Sequence, residues 1–282
     1  MSRILDAVRR AEQERGTSAR AQGSVMELLV SAQAAAARPP LRFPPIEYRS
    51  DSEQLRACGM DPGSQVAAER FRQLRYRLDN WRARQADGVL LVTSAIPGEG
   101  KTLVATNLAE TLAQSSARVL LVDADMRRPG VAEALGLERL PGLAEILRGE
   151  VEWRDACREI QLLNHAYLPA GNGGAAAAEL LANGRVKTLL EEAAQEFDWV
   201  IVDSAPLAPF ADSLYLAAAS RGVLLVARDQ FTPSKVFQSV LESLSEFPLV
   251  GIVLNAVETG ERDRYYYDYY RESHEPERSV KS

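Results

Sequence analysis

The chain has 282 residues, of which 46% are hydrophobic and 26% are charged, and its formal net charge is -6 at pH 7. This composition predicts one large globular domain with appended segments, and the acidic balance argues against a protein that binds the nucleic-acid backbone. The two cysteines, Cys58 and Cys157, have neither a disulfide pairing pattern nor metal-ligand spacing, so a disulfide framework or a zinc site is not indicated, and a reducing, cytoplasmic compartment is favoured.

Residues 1–60 differ in composition from the rest of the chain. They begin with a short amphipathic segment and continue through alanine-rich and proline-rich stretches, including 34–40 and 44–45. This pattern predicts a small helix followed by a mobile linker. The start lacks the continuous apolar stretch of a signal peptide, and no apolar run approaches the ~20 residues that cross a bilayer. We therefore expect any membrane contact to come through a partner.

A folded domain is predicted over residues 61–257, and it begins with an amphipathic helix. From Gln65 to Trp81 apolar residues recur at intervals of three and four, the spacing of one buried helical face: Ala67, Phe71, Leu74, Leu78 and Trp81. Beside this face lie Glu69, Arg72 and Arg75, spaced as E-x-x-R-x-x-R. On their own, such charges are typical of weak intrahelical pairs on a solvated surface.

Beyond this helix, short apolar runs alternate with longer helical segments. The apolar runs predict buried parallel strands at 89–93, 119–122, 199–202, 223–226 and 250–254. Helices are predicted at 103–114, 176–196 and 233–246, with Thr232 as N-cap of the last and Pro233 at its first position. The alternation predicts a three-layer, doubly wound α/β fold with a mostly parallel, Rossmann-like sheet. In such a fold ligands bind beyond the carboxyl ends of the strands.

A glycine-rich loop between the first predicted strand and its helix has the pattern of a phosphate-binding loop. Residues 94–102 read Ser-Ala-Ile-Pro-Gly-Glu-Gly-Lys-Thr, with Ala95 at the position of the usual first glycine. The glycines let backbone N–H groups curve around phosphate oxygens, while Lys101 supplies a positive charge and Thr102 a hydroxyl ligand for Mg²⁺. The predicted nucleotide-binding residues are Pro97, Gly98, Glu99, Gly100, Lys101 and Thr102. The alternative is a glycine-rich turn without a ligand.

Two other predicted strands end in aspartates. Asp123 and Asp125 follow the second strand, and Asp203 follows the third. Because parallel strands present their carboxyl ends at one edge of the sheet, these acids are expected to lie beside the phosphate loop. Thr102, Asp123 and Asp203 are the predicted Mg²⁺ ligands. Taken singly, an acid after a strand is also typical of an N-cap for the next helix.

Together these motifs resemble those of the bacterial protein-tyrosine kinases, or BY-kinases, that accompany the export of capsular and extracellular polysaccharides. The resemblance runs from Gln65 to the C-terminus. Residues 94–102 resemble the family's Walker A motif, 122–127 its additional Walker A′ motif and 200–203 its Walker B motif. The chain departs from the family pattern at two places. It has Gly173-Gly174 where relatives often have Pro and Asn, and Ser204-Ala205-Pro206 follows Walker B in place of Thr-Pro-Pro.

The resemblance implies a P-loop kinase that uses ATP and Mg²⁺. Lys101, Asp123 and Asp125 would be catalytic, with Asp125 orienting or deprotonating the attacking phenol, and Asn255 would contact adenine. The alternative for Asp125 is a structural role, either as a helix cap or as an ion-pair partner of Arg127 or Arg128. The resemblance also assigns Glu69, Arg72 and Arg75 to ring-like self-association.

The family's partners are expected here too. They are a separate membrane-embedded polysaccharide chain-length or co-polymerase protein as activator, and an opposing protein-tyrosine phosphatase. The expected location is the cytoplasm, with recruitment to the inner face of the cell membrane.

Residues 258–282 are polar, poor in aliphatic side chains and rich in tyrosine, which predicts a solvated, disordered tail. Its cluster reads Tyr-Tyr-Tyr-Asp-Tyr-Tyr, and the predicted phosphorylation sites are Tyr265, Tyr266, Tyr267, Tyr269 and Tyr270. An aromatic patch or a terminal strand is the alternative. The tail favours an autokinase that phosphorylates these residues in trans.

Two other functions remain open. A MinD/ParA-type ATPase would place a signature lysine at the position of Ile96, where this chain has none. A catalytically silent, nucleotide-sensing adaptor of a polysaccharide export complex would not need the intact Lys101, Asp123 and Asp203.

Overall fold

The computed structural model describes residues 43–46, 62–160, 163 and 165–257, with the backbone alone at 62–65. These residues belong to a compact unit that begins at Phe43. The predicted helix at the start of the chain and the tyrosine tail at 258–282 lie outside the described residues.

The described residues form one seven-stranded sheet. Its strands are β1 Val89–Ser94, β2 Val119–Asp123, β3 Arg158–Ile160, β4 His165–Leu168, β5 Trp199–Asp203, β6 Gly222–Arg228 and β7 Leu249–Asn255. The order across the sheet is β3-β4-β2-β5-β1-β6-β7, and all neighbours are parallel except β3 and β4. The mostly parallel α/β fold predicted from the apolar runs is therefore confirmed.

Helices of very different length connect the strands. They are α1 Pro62–Arg82, α2 Lys101–Ala113, α3 Val131–Ala134, α4 Leu143–Arg148, α5 Trp153–Ala156, α6 Ala177–Ala182, α7 Arg185–Glu196, α8 Asp212–Ala219 and α9 Ser234–Ser243, with a 3₁₀ turn at Gly174–Ala176. Among the residues that the structure describes, no helix combines the length and the apolar character needed to span a bilayer.

The core lies around the three central strands. Every residue of β1, β2 and β5 is buried, as expected for parallel strands covered on both faces. Helix α1 joins this core through Leu78, which is 1% exposed, and through Trp81, whose ring stacks on Trp199 at 6.3 Å. Burying one such large apolar side chain stabilises the fold by roughly 1.5–3 kcal/mol. The predicted apolar face of α1 is thus its packing face.

The helix predicted at 176–196 is interrupted. Gly184 has φ +79°, a left-handed conformation that glycine adopts easily, and α7 begins at the next residue. The Asn183 amide donates to the Leu147 carbonyl at 3.2 Å, and its side-chain oxygen accepts from the Arg185 N–H at 2.9 Å. The prediction of one continuous helix was therefore wrong, because Asn183-Gly184 ends one helix and starts another.

A short segment before α1 packs on the β3 edge of the sheet. The Glu159 N–H donates to the Pro44 carbonyl at 3.0 Å, and the Ile46 N–H donates to the Glu159 carbonyl at 3.1 Å. The Phe43 ring stacks on Phe197 at 6.0 Å. The proline-containing stretch at 44–45, predicted to belong to a mobile linker, is thus an ordered contact of the folded unit.

Candidate functional site

The phosphate loop connects β1 to α2, and two glycines give it its shape. Gly98 has φ +86° and Gly100 has φ +93°, both left-handed. A β-carbon on Gly100 would lie 2.1 Å from the Asn255 side-chain nitrogen, so this approach also requires glycine. The loop leads into α2 at Lys101, where the unpaired N–H groups of a helix start favour an anion.

Glu99 holds the loop from inside. Its side chain is fully buried; Oε2 accepts the Ile96 N–H at 2.7 Å, and Oε1 accepts the Thr232 hydroxyl. The Ser94 hydroxyl donates to the Ile96 carbonyl at 3.0 Å. The Glu99 carboxylate therefore stiffens the loop from within. Because this side chain is engaged, the part of the loop that can bind a phosphate is its backbone.

The predicted N-cap role of Thr232 was wrong. Helix α9 begins at Ser234, and Pro233 occupies its N-cap position without a side-chain hydrogen bond. The Thr232 hydroxyl bonds to the Glu99 carboxylate and also accepts the Arg228 N–H at 3.1 Å. The hydroxyl therefore donates to Glu99 and accepts from the Arg228 N–H, so both its donor and its acceptor function serve the phosphate loop and the turn before α9.

The predicted lysine and carboxylates come together at the ends of β2 and β5. Asp123 and Asp203 are paired residues of the two neighbouring strands. Lys101 Nζ lies 3.0 Å from Asp125 Oδ2, and their side chains are only 14% and 4% exposed. Lys101 Nζ also donates to the Thr102 hydroxyl at 3.3 Å. The five predicted residues therefore form one buried cluster.

This cluster has an electrostatic imbalance. Burial opposes the charge of Lys101, but the carboxylates of Asp203, Asp125 and Asp123 outweigh it and raise the pKa of the lysine. Burial raises the pKa of Asp203 to about 6, although the nearby Lys101 ammonium lowers it. Burial and then the charge of Asp203 raise the pKa of Asp123 well above its ordinary value. Three carboxylates facing one ammonium favour a further cation.

The three carboxylates differ in their hydrogen bonds. Asp123 accepts the N–H groups of Asp125 at 3.2 Å and Val131 at 3.1 Å, and Asp125 Oδ1 accepts the Arg128 N–H at 3.0 Å. Both oxygens of Asp203 are buried and have no hydrogen-bond partner among the residues that the structure describes. A buried carboxylate in this state needs a proton or a cation.

The donor set fits Mg²⁺ bound together with a nucleotide. The Thr102 hydroxyl lies near Asp203 and lowers its pKa, although its geometry falls outside that of a hydrogen bond. Within the described ranges no cluster of three or more His, Cys, Asp or Glu side chains could hold a metal. Mg²⁺ is commonly bound through one or two carboxylates plus substrate phosphates, with water completing the shell. Asp203 and Thr102 are therefore the direct candidates, and Asp123 is largely engaged by the backbone.

An ion pair that the sequence did not reveal supports the loop after β2. The Arg127 guanidinium binds Asp212 through two bonds, Nε–Oδ2 at 2.7 Å and Nη2–Oδ1 at 3.1 Å, and lies 4.4 Å from the centre of the Phe210 ring. The alternative pairing of Asp125 with Arg127 is thus not formed, although the Arg128 backbone does bond to Asp125. Asp212 lies 85 residues from Arg127, so no local pattern could have indicated the pair.

Asn255, expected from the resemblance to contact adenine, ends β7 beside the phosphate loop. Its side-chain nitrogen donates to the Glu99 carbonyl at 2.9 Å, and its side-chain oxygen accepts the Ala256 N–H at 2.9 Å. The side chain is therefore fixed at the edge of the loop. Its contact with a base stays a prediction.

The residues predicted to mediate self-association lie on α1, away from the cluster. Glu69 and Arg72 pair at 2.8 Å and are 45% and 50% exposed. Arg75 instead donates to the Thr111 carbonyl of α2 at 3.1 Å. Arg75 therefore has a role in holding α1 on the domain. The five tail tyrosines lie outside the described residues.

Comparison with known proteins gives the family. Residues 89–244 match the family model of an AAA domain. The chain is 34% identical over 218 residues to the succinoglycan biosynthesis transport protein ExoP of Rhizobium meliloti (strain 1021), covering 76% of this chain and 28% of ExoP. It is 30% identical over 224 residues to the tyrosine-protein kinase YwqD of Bacillus subtilis (strain 168), covering 78% of this chain and 93% of YwqD.

The structural match points the same way. The kinase domain of the Escherichia coli tyrosine kinase ETK superimposes with a TM-score of 0.64 at 29% identity, over 69% of this chain and 78% of that domain. The chain spans under a third of ExoP but nearly all of YwqD. The chain belongs to the BY-kinase family of bacterial tyrosine kinases.

Proposed function

We propose that this protein is an ATP-dependent tyrosine autokinase that phosphorylates its own tail in trans. The observation that carries the proposal is the buried cluster at the phosphate loop. There Lys101 faces three aspartates, and neither oxygen of Asp203 has a hydrogen-bond partner among the described residues. The acceptors are Tyr265, Tyr266, Tyr267, Tyr269 and Tyr270. A bond forms between the phenol oxygen and the γ-phosphorus, the bond from that phosphorus to ADP breaks, and the phenol proton passes to a carboxylate.

The chain's own residues bind and orient the phosphates. The N–H groups of the loop and of the α2 start surround the β- and γ-phosphates, and Lys101 neutralises their charge. Asp203 and Thr102 would hold Mg²⁺, which would supply positive charge to neutralise the charge developing on the transferred group. Asp123 keeps the loop after β2 in place through its two backbone bonds.

Asp125 is proposed as the group that orients the phenol and accepts its proton. Its Oδ2 pairs with Lys101, and its Oδ1 accepts the Arg128 N–H. When Lys101 turns to the phosphates, Oδ2 becomes available to the attacking hydroxyl. The Arg128 bond then keeps the carboxylate in position for proton transfer.

An ATPase of the MinD/ParA type is the second candidate, since it shares this fold. Ile96 occupies the place of that family's signature lysine, and the Ile96 N–H is committed to Glu99. A charge supplied across a dimer from this position is therefore missing. A silent adaptor is disfavoured by the complete set of Lys101, Thr102, Asp123 and Asp203.

The cellular role proposed here is control of exopolysaccharide or capsule polymerisation and export. It is supported by the similarity to a protein named for succinoglycan biosynthesis and transport. We propose a membrane-embedded co-polymerase as activator, ring-like self-association, a phosphatase that reverses the modification, and recruitment to the inner face of the membrane. Phosphates add about -1.5 to -2 charge each, so a filled tyrosine cluster would disperse the ring by repulsion.

The test separates donor from acceptor. A Lys101→Met protein with an intact tail is mixed with an active protein whose five tail tyrosines are phenylalanine, in labelled ATP and Mg²⁺. Phosphate should appear on the inactive protein's tail. Label confined to Tyr48, Tyr76, Tyr167 or Tyr215, or release of phosphate without phosphotyrosine, would contradict the proposal.

A further inference from the structure

The order of the strands gives the phosphate loop two unlike sides. β1, which leads into the loop, lies between β5 and β6. On the β5 side are Lys101, which attracts the γ-phosphate, and the carboxylates of Asp123, Asp125 and Asp203, which attract the Mg²⁺ that accompanies it. We call this the acidic side. The nucleoside end of a bound nucleotide must therefore leave the loop on the other side, towards β6 and β7.

That other side, which we call the β6–β7 side, is formed by Arg228, Phe231 and Asn255. Arg228 and Asn255 are paired residues at the ends of β6 and β7. Arg228 donates to the Gly98 carbonyl at 3.3 Å, and Asn255 donates to the Glu99 carbonyl at 2.9 Å. Both polar side chains therefore form hydrogen bonds to the backbone of the phosphate loop.

Phe231 is the unexplained member of this side. Its side chain is 47% exposed, yet its ring lies so close to the loop that a β-carbon on Gly98 would be 3.7 Å from Cζ. The Arg228 guanidinium lies 5.1 Å from the ring centre. The preceding residue, Gln230, has φ +53°, a conformation uncommon outside glycine. The turn thus holds a large apolar ring in solvent, directly at the loop.

We propose that Phe231 is the stacking platform for the adenine base of ATP. An exposed aromatic ring beside a phosphate loop offers a flat apolar face on which the base of a bound nucleotide can stack. Arg228 contacts the ring through a cation–π interaction and donates a hydrogen bond to the Gly98 carbonyl of the loop. The inference rests on the proposed nucleotide site and adds the residue that recognises the base.

The ring also couples base binding to the shape of the loop. Arg228 touches both the ring and the Gly98 carbonyl, and the next residue after the ring, Thr232, bonds to the Glu99 carboxylate. A base resting on Phe231 is therefore held by the same turn that holds the phosphate loop. This arrangement favours a nucleoside triphosphate over its phosphate chain alone.

The test compares ligands with and without a base. Binding of ADP and of inorganic tripolyphosphate, each with Mg²⁺, is measured by calorimetry for wild type, Phe231→Ala, Phe231→Tyr and Phe231→Leu. Loss of base stacking should weaken ADP binding of Phe231→Ala on the order of tenfold, while tripolyphosphate affinity stays unchanged. Phe231→Tyr should bind ADP like wild type, and Phe231→Leu should lie between. Tyr215→Ala, another exposed aromatic on α8, is the matched control and should change neither affinity.

Two results would overturn the inference. Unchanged ADP affinity in Phe231→Ala shows that the base lies elsewhere. An equal loss for ADP and tripolyphosphate shows that the ring only braces the loop. Failure of the kinase proposal is distinguishable from both, because it appears in the wild type as an absence of phosphotyrosine, whatever the Phe231 variants bind.

Discussion

The two sides of the phosphate loop are built in opposite ways. The acidic side consists of charged groups that are almost completely buried, and Asp203 is fully buried with no hydrogen-bond partner in the described part of the chain. The β6–β7 side consists of half-exposed or exposed side chains with satisfied hydrogen bonds and an open aromatic ring. Electrostatic interactions are strong where water is excluded and weak where it is not. The first side is therefore suited to chemistry on phosphate and the second to selection of a nucleoside.

The largest effect should follow from removing the charge on the acidic side. Lys101→Met takes away the ammonium that faces three carboxylates, so phosphotyrosine formation should fall by on the order of 10³ or more, and nucleotide binding should weaken with it. Lys187→Met, an exposed lysine on α7, is the control and should retain activity. Autophosphorylation of Lys101→Met close to the wild-type rate would refute the site assignment.

Neutralising Asp203 should lower activity but raise the stability of the metal-free protein. Its raised pKa, about 6, means that the folded protein binds this proton more tightly than the unfolded chain does. Without metal, the contribution of Asp203 to stability is therefore fully present below the ordinary aspartate pKa and is lost as the pH rises through about 6, by roughly 2–3 kcal/mol.

Asp203→Asn removes this charge, so the metal-free variant should unfold at a higher temperature than wild type at pH 7. It should also lose Mg²⁺-dependent transfer. Thermal unfolding in a chelator between pH 4 and 8 gives the measurement. A variant less stable than wild type across that range would show that Asp203 is not an uncompensated charge.

The central strands and their acidic ends were predictable because each is a local pattern. β1, β2 and β5 are continuous apolar runs, and Asp123 and Asp203 follow directly from strand ends. Strands β3 and β4 were missed because they have three and four residues and carry polar groups such as Glu159 and His165. Short, mixed strands become strands only through pairing with a neighbour.

Contacts between distant segments could not be predicted in the same way. Thr232 reaches Glu99 across 133 residues, and Arg127 reaches Asp212 across 85. The exposed ring of Phe231 gives no periodic signal, and its meaning comes only from its position beside Gly98. The β6–β7 side of the site was therefore largely hidden in the sequence, apart from Asn255, which the resemblance supplied.

Replacing Asp125 tests whether nucleotide binding and phosphoryl transfer depend on different residues of the acidic side. Asp125→Asn keeps the size of the side chain but cannot accept the phenol proton, so transfer should slow about 10²- to 10⁴-fold while Mg²⁺-ATP affinity changes little. Single-turnover transfer and equilibrium binding are measured on the same preparation. A parallel fall of both quantities would make Asp125 a metal ligand.

Replacing Asp212 tests whether its ion pair with Arg127, which supports the loop after β2, contributes to stability. Asp212→Asn removes the charge that binds Arg127 through two bonds and leaves the guanidinium poorly paired, which should cost about 1–3 kcal/mol of unfolding free energy. Glu196→Gln breaks the more exposed pair with Arg154 and should cost less than about 1 kcal/mol. Denaturant unfolding of both variants gives the comparison, and equal losses would contradict it.

The smallest effect on the site should come from α1, whose motif residues contact neither side of the loop. Glu69 and Arg72 form a solvent-exposed pair three residues apart, so replacing both by alanine should change the unfolding free energy by no more than about 0.5 kcal/mol. Nucleotide affinity should not change. If the pair mediates ring formation, light scattering should show a lower mass for this double variant than for unphosphorylated wild type.

Arg75→Ala is the necessary companion, because its bond to the Thr111 carbonyl joins α1 to α2. Its loss should lower stability by about 1 kcal/mol, and any loss of assembly in this variant would therefore mix two causes. The Glu69 and Arg72 double variant isolates the association. Equal masses for that variant and wild type at the same concentration would assign the pair to the solvated surface of the helix, and would leave the ring without its proposed contact.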